Sequence, residues 1–228
     1  VGFHGDRVGR QHLDLARPDY GPYSPECLPT LTHSMARPRE FDEDKVLDKA
    51  MQVFWTKGYD GTSLDDLCAA TGLGRSSLYG AFGDKRAVYF RALDRYEENA
   101  AVRVREAFSR RGPVRLAVAG FVEGLIENIV AGPGRRGCFI GNCAAELSRN
   151  DGESAVRVKN SLRRVEKAFH EGLEQARLRG EFPVTADTRA MARFLTAGIQ
   201  GLRLVGKANP DREVLTDIAN TMLRCLDP

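Results

Sequence analysis

The chain has 228 residues, of which 42% are hydrophobic, enough to bury a core in one large domain or in two unequal ones. No apolar run approaches the roughly 20 residues that cross a bilayer, and residues 1–34 lack the apolar stretch of a signal peptide, so a soluble, cytoplasmic protein without a membrane partner is expected. The net charge of +3 excludes little, but the five cysteines (Cys27, Cys68, Cys138, Cys143, Cys225) form no Cys-x-x-Cys pair and His4, His12 and His33 crowd into the first 34 residues, so neither a metal site nor a cofactor is expected.

Residues 1–34 carry Pro18, Pro22, Pro25 and Pro29 without a helical period and read as a disordered extension, with Met35 as an alternative start. From about Asp42, a capping residue, to Lys57 the spacing predicts a helix with Val46, Ala50, Val53 and Phe54 on one face and Gly58 at its end. A second helix opens at Thr62 or Ser63, whose hydroxyls suit free backbone N–H groups; it buries Leu64, Leu67 and Cys68 and stops at Gly72. Leu73 fills the slot before a third helix from Arg75, which turns Leu78 and Phe82 inward and leaves Arg75, Ser76, Ser77 and Tyr79 on its other faces. Two short helices joined by a tight turn make a helix-turn-helix. Arginine suits guanine edges in the major groove and hydroxyls suit phosphates or bases, although a solvated helix face fits the same four residues. Residues 35–86 hold eight Lys/Arg against nine Asp/Glu, so the argument rests on placement: within 72–86, Arg75, Lys85 and Arg86 oppose only Asp84.

Past Asp84 a long fourth helix reaches about Arg110, with Tyr89, Leu93, Tyr96 and Ala100 at helical spacing, until Gly112-Pro113 breaks the chain. Helices follow at 114–130 (Phe121, Leu125, Ile129), 138–148 after a Gly-Pro-Gly turn, 153–179 (Val158, Leu162, Val165, Phe169, Leu173), 187–206 and 211–226. With no strand or repeat, the expected fold is all-α: a three-helix helix-turn-helix domain at 35–84 and a larger helical bundle at 85–228. Phe108, Phe121, Phe139, Asn142 and Phe169 are candidates for a pocket wall, or ordinary core. Cys138, in the first turn of a helix and next to Arg135 and Arg136, is a candidate reactive thiol, or a small buried hydrophobe.

Lys57-Gly58-Tyr59, Thr62-Ser63 and Leu78-Tyr79-x-x-Phe82-x-x-Lys85, behind an amphipathic first helix, resemble the DNA-binding domain of the tetracycline-repressor (TetR) family over roughly residues 42–88. Arg136–Leu147 resembles a subgroup with a Gly-Cys motif in the ligand domain. The resemblance implies a homodimeric, ligand-responsive transcriptional regulator, a repressor released from a palindromic double-stranded DNA operator by a small-molecule effector, an electrophile being one form. It implies DNA contacts by Thr62, Ser63, Arg75, Ser76, Ser77, Tyr79 and Lys85, and an effector cavity enclosed by the fourth to seventh helices. Two last helices would form the dimer interface through Met191, Leu195, Ala197, Gly198, Gly201, Leu202, Leu215, Ile218 and Met222. Asp65 and Asp66 depart from the family pattern, which carries a basic residue early in the second helix. Two alternatives stay open: an activator of the same fold, and a helical-bundle enzyme with a DNA-binding appendage. Against the enzyme stands the lack of a Gly-rich phosphate loop, a metal-spaced ligand set or a nucleophile–base pair, and no catalytic residue is assigned.

Overall fold

The computed structural model describes residues 41–109, 112–147 and 151–227, and the expectations for residues 1–34 and Met35 lie outside them. Among the described residues all regular structure is helical: α1 (Glu43–Lys57), α2 (Leu64–Thr71), α3 (Arg75–Phe82), α4 (Lys85–Ser109), α5 (Val114–Val130), α6 (Phe139–Glu146), α7 (Gly152–Leu178), α8 (Thr188–Ala208) and α9 (Arg212–Leu223), with a short 3-10 turn at Pro133–Arg136. None of these helices is long and apolar enough to cross a membrane.

The punctuation lies where side-chain chemistry puts it. Asp42 caps α1 by accepting from the N–H groups of Asp44 and Lys45 at 3.0 and 3.2 Å, and Asp187 and Asp211 cap α8 and α9 in the same way. Gly58 ends α1 at φ +76°, where a Cβ would be strained and would also come 2.9 Å from Glu146 Oε1.

Two apolar clusters form. The first joins Leu47, Ala50 and Phe54 of α1 to Leu67, Leu78 and Phe82 of the helix-turn-helix and to Tyr89, Leu93 and Tyr96 of α4. It does not stop at the boundary read near residue 84, because Phe139, Ile140 and Cys143 of α6 and Val158 of α7 belong to it as well. The second cluster packs Val118, Val122 and Ile126 of α5, Phe169 and Leu173 of α7, Leu195 and Leu202 of α8 and Leu215 of α9. α4 runs through both, its N-terminal half in the first and Val104 in the second. The acidic residues crowded on α1 serve this packing: Glu43 pairs with Arg91 at 2.9 Å, and Arg95 grips Asp48 at 2.8 Å and Asp44 at 2.9 Å.

One carboxylate in this frame is poorly served. Glu97 on α4 is 2% exposed, its Oε1 has no hydrogen-bond partner, and Arg164 of α7 lies 3.3 Å from its other oxygen. Burial pushes its carboxyl up to about 7 from 4.5. The native state therefore holds a proton that the unfolded chain releases, and stability falls as pH rises through the interval from about 4.5 to about 7. Glu97→Gln is expected to stabilise the protein at pH 8 by roughly 1–3 kcal/mol and to flatten that dependence. Thermal melts of both forms at pH 5 and pH 8 check it; equal losses of stability from pH 5 to pH 8 in both forms would contradict it.

Candidate nucleic-acid interface and ligand cavity

The helix-turn-helix is built from local hydrogen bonds. Ser63 is the cap of α2, closing a reciprocal capping box: Ser63 Oγ accepts from Asp66 N at 3.1 Å, and the Asp66 carboxylate accepts from Ser63 N at 3.0 Å. Thr62 is not the cap and does not face outward. It is 1% exposed and its hydroxyl donates to the Gly58 carbonyl at 2.6 Å, which removes that hydroxyl from the exposed surface. Gly72 turns the chain in the left-handed region at φ +77°, Leu73 packs half-buried against the first cluster, and α3 anchors itself through fully buried Leu78 and through Phe82.

That anchoring leaves Arg75, Ser76 and Ser77 exposed on one end of α3, and Tyr79 half-buried beside them. No side chain caps the N-terminus of α3, whose first residues follow Gly74. The departure at Asp65 and Asp66 has a structural explanation. Asp66 is spent on the capping box and on Lys57 at 2.6 Å, contacts that hold its carboxyl down at about 2. Asp65 bonds Arg75 at 2.6 Å, with both side chains largely exposed. Exposed pairs of this kind are weak and salt-screened, so Asp65 orients the guanidinium without holding it against a competing phosphate or base. Lys85, at the start of α4, lies over the Tyr59 ring at 4.5 Å.

The helix-turn-helix is tied to α6 as well as to α4. Glu146 accepts a hydrogen bond from Asp60 N at 3.0 Å, in the loop between α1 and α2. Trp55 of α1 meets Tyr96 edge-on at 5.0 Å and stacks with Phe139 at 6.0 Å. The Arg136 guanidinium lies over that indole at 4.5 Å and donates to Gln52 Oε1.

A cavity of about 470 Å³ opens against this junction. Its wall includes Met51 and Trp55 of α1, Tyr96 and Arg103 of α4, Phe121 and Gly124 of α5, and Arg203 of α8, so it is not confined to the fourth to seventh helices. Of the residues read as pocket wall, Phe121 lines it, and Cys138 and Phe169 line a narrow crevice behind it that shares Tyr96, Arg103 and Arg203. The rest do other work: Phe139 is buried in the first cluster, Phe108 packs on Phe169, and Asn142 bridges the Arg136 carbonyl and Lys207. Of the two cations expected beside Cys138, Arg136 is engaged elsewhere. Arg136 is drawn onto Trp55 and Gln52, and it is Arg203 that bonds the thiol, while Tyr96 donates its hydroxyl to Sγ at 3.6 Å. Cys143 is fully buried, and burial first of all raises its thiol pKa.

No residue stands out in the sequence as a polar anchor for the cavity, and Arg103 and Arg203 are not among its candidates. The available signal was Gly120 and Gly124, four residues apart inside a helix with no capping duty. A Cβ at either meets nothing within 4 Å. Glycine there costs helix stability and keeps space open.

On α8 and α9 the inward stripe proved to be intrachain core: Leu195, Leu202 and Leu215 are fully buried, and a Cβ on Gly198 would come 2.4 Å from Met222 Sδ. Met191 and Ile218 are half-buried beside them, whereas Ala197 and Gly201 are exposed. Phe194 (51% exposed) and Leu204 (70%) share the outward face of α8 with Ala197 and Gly201.

Comparisons with known proteins agree with this architecture. Residues 46–92 match the family of bacterial regulatory proteins, tetR family, and residues 117–222 match the tetracyclin repressor-like C-terminal domain. The HTH-type transcriptional repressor ComR of Escherichia coli (strain K12) is 35% identical over 192 residues, 84% of this chain and 91% of ComR. The HTH-type transcriptional regulator YezE of Bacillus subtilis (strain 168) is 35% identical over 196 residues, covering 85% of this chain and all of YezE. Among solved structures, a cysteine mutant of the TetR family transcriptional regulator CifR, complexed with 26-bp double-strand operator DNA, superposes with a TM-score of 0.71 at 29% identity, over 82% of this chain and 98% of that one. The chain belongs to the TetR family of transcriptional regulators.

Proposed function

We propose that this protein is a repressor that binds a two-fold-symmetric operator as a homodimer, through α3 of each protomer, and is released when a small effector occupies the cavity beside Trp55. The observation that carries the reading is the exposed Arg75-Ser76-Ser77 end of α3, fixed from behind by buried Leu78 and Phe82. Lys85 and the exposed Ser63 flank it as phosphate contacts, and Tyr79 adds a hydroxyl at its edge. The Phe194-Ala197-Gly201-Leu204 face of α8, with Val214 and Ile218 of α9, supplies the apolar surface for self-association. A dimer of this kind offers its two α3 helices to successive major grooves about 34–36 Å apart.

The cavity provides the release. Its wall contains Met51 and Trp55 of α1, so an occupant touches the helix on which the helix-turn-helix is built. Release requires only that the effector prefer an arrangement in which the two α3 helices no longer match the grooves. The effector is noncovalent in this reading, because Cys138 is buried and its thiol already accepts from Tyr96. Selection of bound sequences from random double-stranded DNA tests the function: a palindromic motif with half-sites one helical turn apart is expected, and recovery of no enriched sequence would refute it.

A further inference from the structure

We infer that the cavity beside Trp55 is a site for organic anions with a flat apolar body, an inference that rests on its role as the effector site and names the effector's class. Most arginines of known surroundings here are matched to a carboxylate, as Arg86 is to Asp151 and Glu153, Arg157 to Asp94 and Arg212 to Glu123 and Glu127. The two in the cavity are not. Among the described residues Arg103 has no hydrogen bond or ion pair, and Arg203 bonds only neutral groups, the Tyr96 oxygen at 2.7 Å and the Cys138 thiol. Glu106 is the one acidic residue on the wall; its charge favours the Arg103 cation from a distance, but it forms no ion pair with either arginine. Two guanidinium groups thus face one space, desolvation and the charge of Arg203 both acting to lower the Arg103 pKa.

The indole N–H of Trp55 is buried without an acceptor, and Trp55 forms part of the same wall. Phe121, Leu125, Ile129 and Met51 supply an apolar surround, and Gly120 and Gly124 leave room for a planar group. A volume of about 470 Å³ suits a ligand of small-molecule size. A neutral ligand of that shape would leave both guanidinium groups without counter-charge; an anion satisfies them and gives the arginines orientation as well as attraction.

The test compares two probes with the same aromatic body. 1-Anilinonaphthalene-8-sulfonate carries a fixed negative charge and N-phenyl-1-naphthylamine does not. Fluorescence titration of the full chain without DNA is expected to show saturable sulfonate binding, at one probe per protomer, at least tenfold tighter than the neutral probe. Arg103→Gln, which breaks no contact in the fold, and the Arg103→Gln/Arg203→Gln pair should each weaken the sulfonate, the pair by tenfold or more, and leave the neutral probe unchanged. Gly124→Leu should fill the cavity and weaken both. Equal binding of the two probes, or sulfonate binding indifferent to both arginine variants, overturns the inference. Operator affinity is measured in parallel: arginine-dependent sulfonate binding that leaves DNA bound upholds the anion site and refutes the cavity's role in release.

Discussion

Gly201→Arg is expected to yield a folded monomer that has lost its operator. Gly201 lies in the middle of α8, exposed, with nothing within 4 Å of where its Cβ would stand. Arginine at that point is a better helix former than glycine by about 1 kcal/mol and meets no intrachain neighbour, so the protomer keeps its stability. In a dimer built on the α8 face the same side chain is a long, desolvated cation between packed helices, which association does not tolerate. Each monomer then holds one half-site, and affinity for the full operator should fall by more than a hundredfold. Gly198→Arg cannot make the distinction, because its side chain collides with Met222 inside the protomer. Sedimentation and DNA binding check the result together; a Gly201→Arg dimer that still holds operator places the interface elsewhere.

Arg75→Ala is the second large effect. Loss of a bidentate contact to a base edge costs about ten- to a hundredfold in discrimination at one position of each half-site. Lys85→Ala, by contrast, should weaken every sequence alike and shallow the dependence on salt, as a phosphate contact does. Asp65→Ala separates orientation from readout: it frees Arg75 from its 2.6 Å partner and is expected to change affinity far less than Arg75→Ala. Competition binding with operators altered one base pair at a time checks the set, and unchanged discrimination by Arg75→Ala would remove Arg75 from the recognition surface.

Much of the fold was legible because its signals are local. Helix ends are written in Asp42, Ser63, Gly72, Asp187 and Asp211, each satisfying or releasing backbone groups within a turn of itself. The outward residues of α3 followed from a short helix with two buried anchors. What failed depends on where separate helices meet. Leu195 and Leu202 have the same spacing whether they face α7 and α9 or a second copy, and periodicity carries no information on that choice. Nor can sequence tell an arginine with a carboxylate partner from one without: Arg103 and Arg95 stand eight residues apart on one helix, yet only Arg95 meets the acids of α1. Thr62 and Ser63 are equivalent as capping residues until the chain path commits one of them to Gly58.

Hydroxyl-radical footprinting on the selected operator brings the recognition helix and the dimer into one measurement. Two protected segments related by a dyad are expected, about 34–36 Å apart on one face of the duplex, both lost with Gly201→Arg and both weakened with Arg75→Ala. A single protected segment, or a two-fold pattern indifferent to Arg75, would contradict a dimer that reads DNA through α3.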